Sequence, residues 1–233
     1  MARWLPEPEF GHDGPMADTR GEAQYRQLRT PRSAAVAGIV FGALFATSIV
    51  LLVTAMPSTA ATPWVRGGSK ITTALFLAPI AGIAFLWFVG VLRDQFGNLE
   101  DRFFSTVFLG SGLLFLAMTF VSMALAGALL AVSRHSSDVV ETDIVFFGRE
   151  VMLHINNVYS VRMAAVFMIS LATMWLRTRL MPKPLVIGTY LLAVVLLVVV
   201  SFSFWVALVF PAWVLVVSAY ILATEHRQPT SPG

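Results

Sequence analysis

The 233-residue chain contains no cysteine, which excludes a disulfide framework, a thiolate metal site and a thiol nucleophile. It is also poor in charge. Charged residues make up 12% of it, against roughly 25% in soluble domains. A water-facing surface cannot be built from so few charges, whereas a lipid-facing one can. Carboxylates are missing from the one place where a proton- or sodium-coupled carrier needs them. All 13 Asp and Glu fall in tails or expected loops, and none in the middle of an apolar run.

Histidine is nearly as scarce. Of the four, at positions 12, 135, 154 and 226, only His154 approaches an apolar run. Paired axial histidines, as in a membrane b-type cytochrome, cannot be assembled from them. No glycine-lysine phosphate loop, HExxH or EF-hand spacing occurs. Gly110-Ser111-Gly112 is similar to an intramembrane serine protease elbow. However, Leu109 occupies the place of that motif's first glycine, and no late histidine can act as its base. The reading is therefore non-enzymatic, with no catalytic residue, cofactor or metal site.

Apolar runs are what the chain has in abundance. Hydrophobic residues reach 57% and mean hydropathy is +0.77. Runs near 33–55, 71–92, 104–132, 159–176, 184–201 and 203–223 each approach the ~20 residues that cross a hydrocarbon core. The expected fold is all-α, a bundle of six transmembrane helices. The third run is long enough to tilt or project. The fifth and sixth are separated only by Ser201-Phe202-Ser203, so a single merged span is the alternative there. Residues 1–32, with Glu, Asp, Pro and Gly and few large apolars, read as a disordered cytoplasmic tail rather than a cleaved leader. Residues 133–158 read as an outer loop and 224–233 as a short tail.

Basic residues set the orientation. With the N-terminus inside, eleven Lys and Arg fall on the cytoplasmic side. Only Arg66, Lys70, Arg134 and Arg149 fall outside. That asymmetry predicts both termini inside, and a bacterial cytoplasmic membrane suits the compact, cysteine-free pattern. Arg20, Arg26, Arg29 and Arg32 approach the membrane together. They serve as an orientation signal or contact anionic lipid.

Three groups of residues are candidates for function. The first is the charged elbow between runs two and three, with Arg93, Asp94, Gly97, Asp101 and Arg102. Gly97 suits the residue after a helix end, and Asn98 with Asp101 suits the start of the next helix. The second is the outer polar segment, where Glu150, His154 and Arg162 fall at helical spacing and could line a mouth or bind an anion. Apolar periodicity between Val151 and Val161 lets the fourth helix extend outward past the lipid. The third is Ala34, Gly38, Gly42 and Ala46, a small residue every four along run one, which allows close helix packing within or between chains. Pro79 and Pro211 predict simple kinks. Hydroxyls inside the runs (Thr47, Ser48, Thr119, Ser122, Ser170, Thr173 and Ser218) are expected to bond their own helices.

Gly90-x-Leu92-x-Asp94-x-x-Gly97 resembles the loop signature between spans two and three of major facilitator transporters, and it covers about eight residues. In that family the acidic residue and its basic partners latch neighbouring helices during alternating access. Here Asn98-Leu99 replaces the basic pair, and the expected span count is six rather than twelve. Two functional classes follow. The leading one is an accessory or scaffold subunit, or a homo-oligomer, associating through its helices. The other is a small-solute transporter or channel with an outer polar mouth near Arg162 and His154 and an inner charged elbow over 93–102.

Overall fold

The computed structural model describes residues 18–56, 67–96, 102–135, 140–179, 181–198 and 204–225. These are almost entirely helical. Seven α-helices follow in order: α1 (Asp18–Ala55), α2 (Gly68–Phe96), α3 (Arg102–His135), α4 (Val140–His154), α5 (Val161–Thr178), α6 (Lys183–Val198) and α7 (Val209–Glu225). A π-helical turn, Ile155–Ser160, joins α4 to α5, and a 3-10 turn, Phe204–Leu208, leads into α7. Five stretches are long and apolar enough to cross a membrane: Arg32–Ala55, Gly68–Asp94, Phe103–Arg134, Ile144–Thr178 and Trp205–Thr224. α6, at 16 residues, is shorter.

Two helices begin earlier than their apolar content predicts. α1 starts at Asp18, so residues 18–32, expected as disordered tail, are helix. Glu22, Ala23, Gln24, Gln27 and Leu28 are good helix formers, and elongating an existing helix avoids the cost of nucleating one. Likewise α4 and its π-turn carry helix through 140–160, so most of the segment placed in an outer loop is helical. Pro211 also differs in role from expectation. It is the third residue of α7, just after the 3-10 turn, in the first turn of the helix, where proline is better tolerated than mid-helix. Pro79 lies inside an uninterrupted α2.

Neighbouring helices run antiparallel, as the paired contacts reveal. Along α1, Gly38 lies against Phe88 of α2, Ser48 donates to the Ala74 carbonyl, and Ala55 meets Gly67. Gly82 of α2 faces Leu116 and Phe120 of α3, while Gly127 further along α3 faces Leu75. α3 in turn pairs Phe108 with Phe167, Ser122 with Met152, and Leu129 with Gly148. Arg162 near the start of α5 meets Leu197 near the end of α6, and Thr173 meets Tyr190. α7 closes the bundle against α1, with Ser218 on Gly38 and Leu215 and Pro211 on Gly42. The αL conformation of Arg179 (φ 54°) ends α5 just before Pro182 and α6; such a residue commonly terminates a helix.

The middle of the bundle is filled by aromatic rings. Phe85 stands 4.8 Å from Phe41, 5.4 Å from Phe115, 5.5 Å from Phe167 and 5.9 Å from Phe210 between ring centroids. Phe45, Phe108, Trp213 and Trp175 extend this layer. The tilted and edge-to-face geometries are those that aromatic quadrupoles favour. Four helices, α1, α2, α3 and α5, and the start of α7 are thus held by one shared set of rings.

Candidate functional site

One side of the aromatic layer, where Trp213 Nε1 donates to the Thr189 hydroxyl at 3.0 Å and Thr173 meets Tyr190, ends in a basic rim. Arg32, Arg93, Arg177, Arg179 and Lys183 are exposed there, and the Arg177 guanidinium sits 4.6 Å over the Phe104 ring. Arg93 and Asp94 of the charged elbow are exposed at the end of α2. Gly97 and Asp101 lie outside the described residues, and Arg102 is described only as the first residue of α3. The Arg20, Arg26 and Arg29 side chains also lie outside what is described.

The other side is a polar layer, built around the π-turn. In a π-turn the backbone bond runs to the fifth residue back, and the Val161 N–H donates to the Asn156 carbonyl accordingly. The turn therefore accommodates about one residue more than an α-helical turn. Its residues Asn156, Asn157 and Ser160 are buried, at 2%, 6% and 1% exposure. The Ser160 hydroxyl is 2.8 Å from that of Thr119 on α3 and 3.3 Å from the Phe115 carbonyl. Ser122, one turn along α3, donates to the Met152 carbonyl. Asn156 Nδ2 donates to Asn157 Oδ1 at 2.9 Å. That leaves Asn157 Nδ2 sealed from solvent and without an acceptor among the described residues. A buried donor left unpaired costs about 1–3 kcal/mol.

Of the hydroxyls inside the apolar runs, three bond across helices instead of to their own, against expectation. Ser48 ties α1 to α2, Thr119 ties α3 to the π-turn, and Ser122 ties α3 to α4. Thr47 and Ser170 do bond back to their own helices. Thr173 does so while also meeting the Tyr190 hydroxyl at 2.7 Å. Ser218 Oγ has no partner among the described residues.

Glu150 and His154 lie one turn apart and in contact, while Arg162 bonds elsewhere. Glu150 pairs with Arg149 at 2.8 Å. His154 is exposed, with Nδ1 3.0 Å from the Glu150 carbonyl. Arg162 donates from Nε to the Leu197 carbonyl (3.3 Å) and from Nη1 to the Val158 carbonyl (3.4 Å). Leu197 lies one residue before the last described residue of α6, so Arg162 ties the start of α5 to that part of α6. The π-turn explains why the four-residue stripe breaks. One inserted residue rotates Arg162 by about 100° relative to Glu150 and His154. The residues gathered at depth are instead Asn156, Asn157 and Ser160. Their signal in the sequence was an amide pair and a serine inside an apolar periodicity.

The small-residue ladder is occupied within the chain. A side chain at Gly38 would collide with Ser218 and Phe88, and one at Gly42 with Leu215. Ala34 is fully buried and Ala46 half-buried.

Arg162 places the last described turn of α6 beside the start of α5. From Thr119, the partner of Ser160, α3 runs on to His135 for about 24 Å at 1.5 Å per residue. On the side that carries the polar layer, α3 therefore runs on well beyond the level of Ser160. No buried ionisable side chain occurs among the described residues, and no group of metal-ligating side chains occurs among them. No family model, curated protein or solved structure matches the chain.

Proposed function

We propose that this is an integral membrane protein that crosses the bilayer six times, with its basic end and both termini in the cytoplasm. We further propose that it binds and passes a small uncharged solute at the π-turn layer. Five apolar stretches have the length for crossing. The sixth crossing is supported by direction. α5 and α7 are each antiparallel to helices that themselves run the same way, α3 and α1, which supports a return between them through α6. At 16 residues α6 covers about 24 Å, short of a ~30 Å core.

The observation that carries the solute reading is the unpaired Asn157 amide, buried in a π-turn directly beyond a bundle centre packed with rings. A π-turn inside a long helix often marks a functional site. Apolar constrictions gate narrow pathways by excluding water. The absence of buried charge among the described residues favours a neutral solute over an ion. The test is swelling of proteoliposomes in water, urea, acetamide and glycerol gradients. Wild-type protein is expected to accelerate at least one. Asn157→Leu is expected to remove about tenfold of that gain, the equivalent of one ~1.4 kcal/mol hydrogen bond. Rates equal to those of empty liposomes for all four would overturn the reading.

A second reading, the accessory or scaffold subunit, has its own observation. Phe76, Ile83 and Trp87 stand out from one face of α2 at 70%, 59% and 71% exposure. The ladder on α1 lends it less than expected, because α7 already covers Gly38 and Gly42. Native mass spectrometry from gentle detergent separates the two, since a stoichiometric partner lost on Phe76→Ala with Trp87→Ala would favour the scaffold.

A further inference from the structure

The unpaired atom at the π-turn also constrains what would be bound there. Asn157 Oδ1 already accepts from Asn156, so the face that Asn157 offers is its Nδ2, a donor. The surrounding donors have acceptors. Thr119 and Ser160 share one bond, Ser160 also reaches the Phe115 carbonyl, and Ser122 donates to Met152. A donor surrounded by satisfied groups calls for one acceptor oxygen and repels a cation. An anion would have to draw Arg162 away from the end of α6, where its Nε and Nη1 already donate. Yet no solvent reaches Nδ2, so this conformation leaves no space for such an oxygen.

We infer that the structure is the closed state of a gated site in which Asn157 donates to a small neutral molecule bearing a carbonyl or hydroxyl oxygen. This rests on the solute reading above and names the ligand class for it. The π-turn supplies the means of opening. A π-turn differs from an α-turn by about one residue of register. Its relaxation reorients Asn157 about the helix axis without breaking the helix. The aromatic rings fill one direction from Asn157, so entry is from the other.

The lack of native cysteine permits a direct test. Single cysteines are placed at His154, exposed; at Ser160, beside Asn157; and at Ala165, fully buried one turn further along. Each variant is reconstituted and treated with a small hydrophilic thiosulfonate. Ser160→Cys is expected to label more slowly than His154→Cys but well above Ala165→Cys, which reports general loosening. Acetamide is expected to slow Ser160→Cys labelling several-fold, and to do nothing once Asn157→Leu is added. Potassium chloride and sodium acetate are expected to leave the rate unchanged. Labelling of Ser160→Cys no faster than Ala165→Cys would overturn the inference. So would protection that survives Asn157→Leu, or protection by potassium, which would indicate that the amides present an oxygen instead. Should Ser160→Cys fold poorly, Thr119→Cys, on the other half of the same hydrogen bond, gives the same readout. The outcomes stay separable from the solute reading. Flux that persists in Asn157→Leu would refute this site while transport stands, and acetamide protection without any flux would leave a binding site and refute transport.

Discussion

The aromatic layer and the polar layer lie next to each other in the same bundle and are held by opposite means. Around Phe85, five helices barely need specific bonds, because rings from each fill the shared space and any inward-pointing surface has a partner. Around Ser160, contact is made through single hydrogen bonds between named atoms, and one donor is left over. Volume is forgiving of which residue supplies it, whereas a hydrogen bond is not. The first layer therefore reads as the part that sets stability, and the second as the part that has room to change state.

The sharpest way to break that contrast is to remove a ring. Phe85→Ala would leave a cavity touching Phe41, Phe115, Phe167 and Phe210, and truncating a buried Phe costs about 3–5 kcal/mol. Thermal unfolding in detergent is expected to drop more for this variant than for any change in the polar layer. A loss below that of Thr119→Val would mean that the rings are loosely packed.

Next in size is overfilling the seam between α1 and α7. Gly38→Leu places a side chain where Ser218 and Phe88 already sit, and overpacking of this kind costs about 1–3 kcal/mol. Folded monomer is expected to fall, with no change in the subunit count of what remains. If instead a defined oligomer dissociates while the monomer keeps its melting temperature, the ladder serves an interface between chains.

How much of this was legible beforehand follows the same division. Long apolar runs announced α1, α2, α3, α5 and α7, because in lipid an uninterrupted apolar segment has few solutions other than a helix. The mid-bundle rings come from those runs. α4 was veiled by Glu141, Asp143, Arg149 and Glu150, which lower its hydropathy although Glu and Arg are good helix formers. Spacing alone could not reveal the π-turn, since reading Glu150, His154 and Arg162 as one stripe assumes an unbroken α-helix. Nor could it assign the hydroxyls. Ser48 and Thr47 are adjacent in sequence, and only the position of α2 decides that one bonds Ala74 while the other bonds its own helix. The ladder at Gly38 and Gly42 was visible, but its partner was not, because α7 is far away along the chain.

The smallest effects test the polar layer against itself. Thr119→Val keeps the shape and removes the bond to Ser160, and interhelical hydrogen bonds in membranes average about 0.6 kcal/mol with a ceiling near about 1.7. A fall in melting temperature of that order is expected. Ser218→Ala removes a hydroxyl that is equally buried but unpaired among the described residues, so its change is expected to be nil or slightly stabilising. The two substitutions delete the same kind of atom from the same kind of surroundings, and the difference between them isolates the bond. If Ser218→Ala proves as damaging as Thr119→Val, Ser218 finds a partner in the folded protein. A polar contact would then tie α7 to α1 on the basic side of the rings, in addition to the Trp213–Thr189 and Thr173–Tyr190 bonds there, and the seam between α1 and α7 would no longer be held by packing alone.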